Sequence, residues 1–253
     1  MSAPGRVLIV GHYQADRQFS MWRYADLLAE LFAEAGWEVA RVRPEAPARA
    51  RGWRRHAGEK WAGNWDKWVA FPPVLRRTAA EWAAAHPERS LVILPDHSHA
   101  PYLGSLTGLH VVGACHDLMA VRGALGELPR HRPRWSGRRL QQRILASLAR
   151  LPFAVAVSES TRRDLERLVP ELEDRVRVVR SALNAPYGPL PPAEAIARLQ
   201  RWPQLAAGRR FFLHVGNDSW YKNRDGILAA YARLQAAWNL PEACPDLVFA
   251  GAP

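Results

Sequence analysis

The sequence predicts an α/β fold: a doubly wound parallel sheet, followed by the opening β-α-β of a second, smaller sheet. Three observations carry this. Up to Ser181, short β-branched runs alternate with helical patterns, strand then helix, six times over. The runs are apolar at consecutive positions rather than at every second one, as in strands buried on both faces. After Ser181 four prolines fall within residues 184–192, and a new α/β pattern begins at Arg209.

The elements follow in order. Arg6–Val10 (RVLIV) lies between Gly5 and Gly11 and reads as the first buried strand. In FSMWRYADLLAELFAEAG, the residues Met21, Tyr24, Leu27, Leu28, Leu31 and Phe32 recur at helical spacing, with Gly36 as the stop. WEVARV is the second strand, and LVIL, HVVGAC, FAVAV and RVRVV are the next four. VLRRTAAEWAAAH, RRLQQRILASLARL and STRRDLERLV supply helices between them. Residues 1–181 thus form one domain, 182–208 a proline-rich linker with a short helix, and 209–253 the start of a second domain. Taken alone, that start is unfinished, because two strands and one helix cannot cover both faces of a sheet.

Composition narrows the function classes. The chain has 253 residues, 48% of them hydrophobic, enough for one large or two moderate cores. No apolar run approaches the ~18 residues of a membrane span. The apolar part of MSAPGRVLIVG is too short for the core of a signal peptide. Cys115 and Cys244 lie far apart in apolar company, which fits a reducing cytoplasm and offers neither a disulfide framework nor metal spacing. The net charge of +11 raises the question of nucleic acid, yet arginine outnumbers lysine 32 to 3 among an abundance of alanine. The excess concentrates in residues 41–60, with seven basic and two acidic side chains, and 122–150, with eight and one. Two such stretches suit a surface that meets anionic headgroups, and equally suit solvated loops. The tryptophans interleaved with basic residues after Gly52 fit a stacking platform, an interfacial segment or core packing.

Candidate chemistry sits where strands end, the edge at which open α/β sheets place ligands. The first strand runs into GHYQADRQFS with only Gly11, so a G-x-G-x-x-G dinucleotide site is excluded. Arg17, Gln18 and Ser20 fall at the positive end of the next helix, where anions are favoured and where Ser20 is a natural N-cap. Asp96, His97 and His99 follow the third strand; His116 and Asp117 follow the fourth. Their spacing matches no zinc motif. His116 reads as a general acid/base or an oxygen-binding histidine. Adjacent Cys115 is no nucleophile for it, since successive strand residues face opposite sides. In VSESTRRDL, Thr161 and Asp164 have capping-box spacing.

Together these segments resemble the retaining GT-B glycosyltransferases of family 4. RQFSMWRYADLLAELFAEAGWEV is similar to that family's first loop and helix, VVGACHDL to its strand ending in His-Asp-Leu, AVSESTRRDL to its strand-to-Ser-to-helix segment. FLHVGNDSWYKNRDGILAAYARL resembles the opening of its second Rossmann-like domain. The resemblance implies two Rossmann-like domains, a nucleotide-diphosphate sugar as co-substrate with no bound metal or cofactor, and a glycan or lipid-linked acceptor. It implies that His116 faces the transferred sugar and that Lys222 binds the donor diphosphate. Arg17, Gln18 and Ser20 would meet donor and acceptor, with the acceptor near that loop, near Asp96, His97 and His99, and near the basic stretch that contains Arg122. Asn217 stands where many members carry a phosphate-binding arginine, and the first loop lacks the family's glycine pair.

Members also carry a Glu-x7-Glu motif beyond this region, and nothing after Lys222 matches it. The expectation is therefore an N-terminal fragment, inactive alone, of a cytoplasmic hexosyltransferase, with the basic stretches offering a peripheral contact to the inner face of the membrane. The alternative is a non-catalytic basic α/β module that binds nucleic acid or an anionic surface; nucleic acid is not the favoured partner.

Overall fold

The structure, a computed structural model, describes residues 5–45, 59–183, 185, 187–206, 208–238 and 244–251. The chain divides into two compact units, Met1–Ala185 and Pro186–Pro253.

The first unit is built on six parallel strands, β1 (Arg6–Val10), β2 (Glu38–Val42), β3 (Ser90–Leu94), β4 (His110–Cys115), β5 (Phe153–Ala156) and β6 (Val176–Val178), in the order β2-β1-β3-β4-β5-β6. The six strands coincide with the six apolar runs to within a residue at either end. Alternation of side chains explains why the runs are apolar throughout. Leu8 and Val10 enter one core with Leu75, Val92, Leu94, Ile144 and Leu148, while Val7 and Ile9 enter another with Ala25, Ala29 and Ile93. Each fully buried Leu, Ile or Val contributes about 1.5–3 kcal/mol, so a polar residue anywhere in β1 would be costly.

Helices cover both faces. Helix α1 (Phe19–Glu34) joins β1 to β2. Its sheet-facing stripe is Ala25 and Ala29, flanked by Leu28 and Phe32, whereas Leu31 is exposed. The large residues singled out from the sequence are therefore not the most buried ones. Small alanines let the helix axis approach the strands closely, and the larger side chains splay to either side. After β2 come α2 (Glu59–Trp65), a π-helical turn (Asp66–Ala70) and α3 (Phe71–Ala84), which lead into β3. Of the basic stretch 41–60, residues 46–58 lie outside those described. Helices α4 (Met119–Ala124) and α5 (Trp135–Leu148) link β4 to β5, and α6 (Glu159–Leu168) links β5 to β6.

Two capping assignments are corrected. Gln18, not Ser20, is the N-cap of α1, and it accepts from the Met21 and Trp22 amides through its backbone oxygen. The N-cap of α6 is Ser158, whose Oγ accepts from the Thr161 amide at 3.1 Å. Asp164 instead pairs with Arg122 and Arg167.

The second unit contains α7 (Pro192–Leu199), α8 (Pro203–Ala206), β7 (Phe211–Val215), α9 (Arg224–Ala237) and β8 (Asp246–Ala250). β7 and β8 pair in parallel, from Phe211 opposite Asp246 to Val215 opposite Ala250. The apolar residues of β7 remain exposed, up to 70% for Val215. At the strand ends, Gly251 has φ 137° and lies so close to the Gly216 carbonyl that a Cβ would stand 2.2 Å from its oxygen. Glycine is required there on both counts. Among the described residues, no helix is long and apolar enough to cross a membrane.

Candidate functional site

A parallel sheet delivers all its carboxyl ends to one edge, and in the first unit that edge gathers residues distant in sequence. His12 leaves β1, Asp96 leaves β3, His116 leaves β4 and Ser158 follows β5.

His116 is held on three sides. Its Nε2 lies 3.0 Å from the Pro95 carbonyl oxygen, its ring meets Tyr24 edge-on with centroids 4.5 Å apart, and its own carbonyl accepts from the Thr161 hydroxyl at 3.0 Å. A carbonyl can only accept, so Nε2 carries the proton, and in the neutral ring Nδ1 is left with its lone pair. The Thr161 hydroxyl is in turn 2.9 Å from Ser158 Oγ, which ties the start of α6 to the exit of β4. Burial pushes the Tyr24 phenol up, so it remains protonated. His116, Tyr24, Ser20 and Ser181 line a cavity of about 350 Å³. Arg17 and Gln18 are exposed beside the start of α1, and Arg17 adopts a left-handed conformation at φ 50°.

The second cluster lies behind the β3 exit. Asp96 is 7% exposed and caps the turn that follows, its Oδ1 accepting from the Ser98 amide at 2.8 Å. Oδ2 stands 3.6 Å from His97 Nδ1, and Oδ1 stands 4.0 Å from His12 Nε2, beyond hydrogen-bond range. Burial works against ionisation of Asp96, but the neighbouring His97, His12 and His99 and the Ser98 amide outweigh it and hold the carboxyl well below its ordinary range. His99 stacks on His12 with centroids 4.1 Å apart. Burial first, then His12, pushes His99 down to about 3, so it is neutral at physiological pH.

Other predicted residues are placed differently. Asp117 is exposed just before Leu118, the N-cap of α4, and its Oδ1 accepts from the Met119 amide at 3.0 Å. Arg122 bridges Glu127 and Asp164, at 2.9 and 3.1 Å, in a network that also includes Arg167. Burial, followed by nearby carboxylates, pushes the Cys115 thiol well up, which leaves it a poor nucleophile. Among the described residues, no three His, Cys, Asp or Glu side chains converge as a metal centre.

In the second unit, the turn after β7 presents Asn217 and Lys222. Asn217 Oδ1 accepts from the Ser219 amide at 3.3 Å, so it shapes the turn. Lys222 is exposed at the end of a 3-10 turn, its Nζ 5.4 Å from the Tyr221 ring centre. Arg224, not singled out from the sequence, donates through Nη2 to the Gly216 carbonyl. Its position two residues after Lys222 was the available signal. His12 was also missed, although it leaves β1 as His116 leaves β4.

The profile of glycosyltransferase family 4 matches residues 21–185, which lie within the first unit. The chain is also similar to O-antigen chain mannosyltransferase B of Escherichia coli, at 28% identity over 181 residues. That alignment covers 68% of this chain and 45% of the relative, so the chain spans about half the length of the curated protein it matches. With the six-stranded sheet, its strand-end histidines and a match over most of the sequence, the chain belongs to glycosyltransferase family 4.

Proposed function

We propose that this chain serves the transfer of a hexose from a nucleotide-diphosphate sugar to a glycan or lipid-linked acceptor, with retention at the anomeric carbon. Family membership implies a nucleotide-sugar donor and an acceptor. The mannosyltransferase relative supports a hexosyl donor without choosing the sugar. The observation that carries the reading is His116: a half-buried ring at a strand exit, its tautomer set by the Pro95 carbonyl, beside a cavity. Its Nδ1 suits acceptance of a sugar hydroxyl proton. Lys222, exposed on the turn after β7, suits the diphosphate, where its ammonium would stabilise charge growing on the leaving group. The exposed Trp135 and the arginines of α5 suit a peripheral contact with anionic lipid. Transfer by the 253-residue chain alone should be weak, because the exposed β7 leaves the Lys222 turn on a poorly covered sheet.

The test has two arms. In a preparation that turns over donor, proton NMR of the product should show the donor's anomeric configuration, and His116→Ala should lower kcat by about 10²–10³ without lowering the melting temperature. An inverted product, or a His116→Ala protein that merely melts earlier, overturns the assignment. Calorimetric titration of nucleoside diphosphate into the chain should show weaker binding by Lys222→Ala at an unchanged melting temperature. Equal affinity makes Lys222 a solvated surface lysine. Binding of DNA in preference to nucleotide, weakening steeply with salt, would instead favour the basic-module reading.

A further inference from the structure

The chain from Glu59 to Ala84 is one helical run: Trp65 and Phe71, at the joints between α2, the π turn and α3, both keep right-handed helical dihedrals. Its inner side is buried at Ala62, Asp66, Phe71 and Leu75. Its outer side shows Trp61, Trp65 and Val69, exposed by 74%, 51% and 48%, and then exposed Pro73. A four-residue spacing oversteps the α-helical turn of 3.6 residues at every repeat. The π turn, closed by i→i+5 bonds, holds more residues per turn and offsets the overstep, so the four side chains form one stripe. We propose that this stripe seats in the headgroup layer of an anionic phospholipid bilayer, with the arginines of α5 alongside it; this rests on, and deepens, the peripheral contact proposed above.

Two observations choose that occupant. The first is charge. The solvent side of α5 reads Trp135, Arg138, Arg139, Gln142 and Arg143, all exposed and spaced i, i+3, i+4, i+7 and i+8 along one face. Arg143 lies 5.8 Å from the ring centre of Trp68, the neighbour of Val69, so this basic face adjoins the apolar stripe. Unlike Arg122, which bridges Glu127 and Asp164, none of the three arginines pairs with a carboxylate among the described residues. No acidic residue occurs anywhere in 128–158. The second is the type of apolar residue. Tryptophan, with a broad apolar ring and one N–H, favours the headgroup level over the hydrocarbon below it. Trp135 repeats the combination, with the Arg139 guanidinium 4.5 Å from its ring centre.

Two rivals fit less of the surface. Single-stranded nucleic acid would meet the arginines and stack on the indoles, but Val69 and Pro73 offer no aromatic face for a base. A second copy of the chain, packed stripe to stripe, would bring its own unneutralised arginines against these. An anionic bilayer matches cations and apolar stripe together, and at one level.

The test is cosedimentation of the 253-residue chain with vesicles of phosphatidylcholine, and of phosphatidylcholine mixed equally with phosphatidylglycerol. The chain should pellet with the mixed vesicles and stay in solution with phosphatidylcholine alone. Arg138→Ala/Arg139→Ala/Arg143→Ala should weaken the partition about hundredfold, roughly fivefold for each arginine. Trp61→Ala/Trp65→Ala should weaken it about tenfold. Melting curves check that the variants are folded, and Trp61→Ala alone serves if the double variant is not. No pelleting with the mixed vesicles overturns the proposal, as do equal pelleting with both kinds and a partition unchanged in the folded variants. Oligodeoxythymidylate bound by a chain that ignores the vesicles overturns it in favour of nucleic acid. A dimer on gel filtration that the tryptophan variant returns to monomer overturns it in favour of a second copy. Titration of nucleoside diphosphate into the same samples separates the two readings. Vesicle binding without nucleotide binding keeps the surface and sinks the transferase, while nucleotide binding without vesicle binding does the reverse.

Discussion

His99 offers a quantitative test of the buried cluster at the sheet edge. In the unfolded chain its imidazole takes a proton near its ordinary value of 6.5; in the folded chain burial, reinforced by His12, holds it at about 3. Between those values the unfolded state binds a proton that the folded state refuses, so acid favours unfolding. The stability is whole above pH 6.5 and drains away as pH falls toward 3. Between pH 7 and pH 4.5 this single group removes about 2.5 kcal/mol. The charged or titratable neighbours that bear on it are His12, Asp96, His97 and Lys67. Asp96, held low, stabilises the fold above the carboxylate range and loses that effect only at more acidic pH, outside this window. Urea unfolding of wild type and His99→Gln at both pH values isolates the histidine, because the remaining groups are common to both proteins. Wild type should lose about 2–2.5 kcal/mol more than the variant over the interval. Equal losses would mean that His99 titrates as if in water, and that the packing of His99 between His12 and Tyr102 does not describe the protein in solution.

Two further outcomes follow from the backbone. Ser158→Ala removes the α6 N-cap and the partner of Thr161, and should cost about 1 kcal/mol in urea unfolding while leaving nucleotide binding intact; a neutral substitution would deny the cap. Gly251→Ala must displace the Gly216 carbonyl, and should accelerate amide exchange across β7 and β8 while leaving β1–β6 protected; unchanged exchange in β7 would show that the close approach is not formed.

What the sequence yields and what it hides follow from the same geometry. The strands of the first unit were legible because burial on both faces demands Val7 beside Leu8 and Ile9 beside Val10, a local pattern without rival explanations. The packing face of α1 was not, since a helix with Met21, Leu27 and Leu31 invites the eye to its largest side chains, whereas the sheet selects Ala25 and Ala29 for closeness. Caps went astray for a related reason. Asp16 and Ser20 flank the start of α1, and Ser158, Ser160, Thr161 and Asp164 that of α6; only the folded geometry decides that Gln18 and Ser158 hold the cap positions. The site was legible by position rather than by motif: no short signature marks His116, yet its place at the end of HVVGAC does. The same rule applied to RVLIV points to His12, set one residue beyond the strand end because Gly11 intervenes. Asp96 shows the limit. Its neighbours His97 and Ser98 are adjacent in sequence, but His12 reaches it only because β1 and β3 run side by side, with Ile9 opposite Ile93. Local chemistry can be read from a strand end taken singly; the contacts between strand ends depend on the order β2-β1-β3-β4-β5-β6, which no single segment encodes.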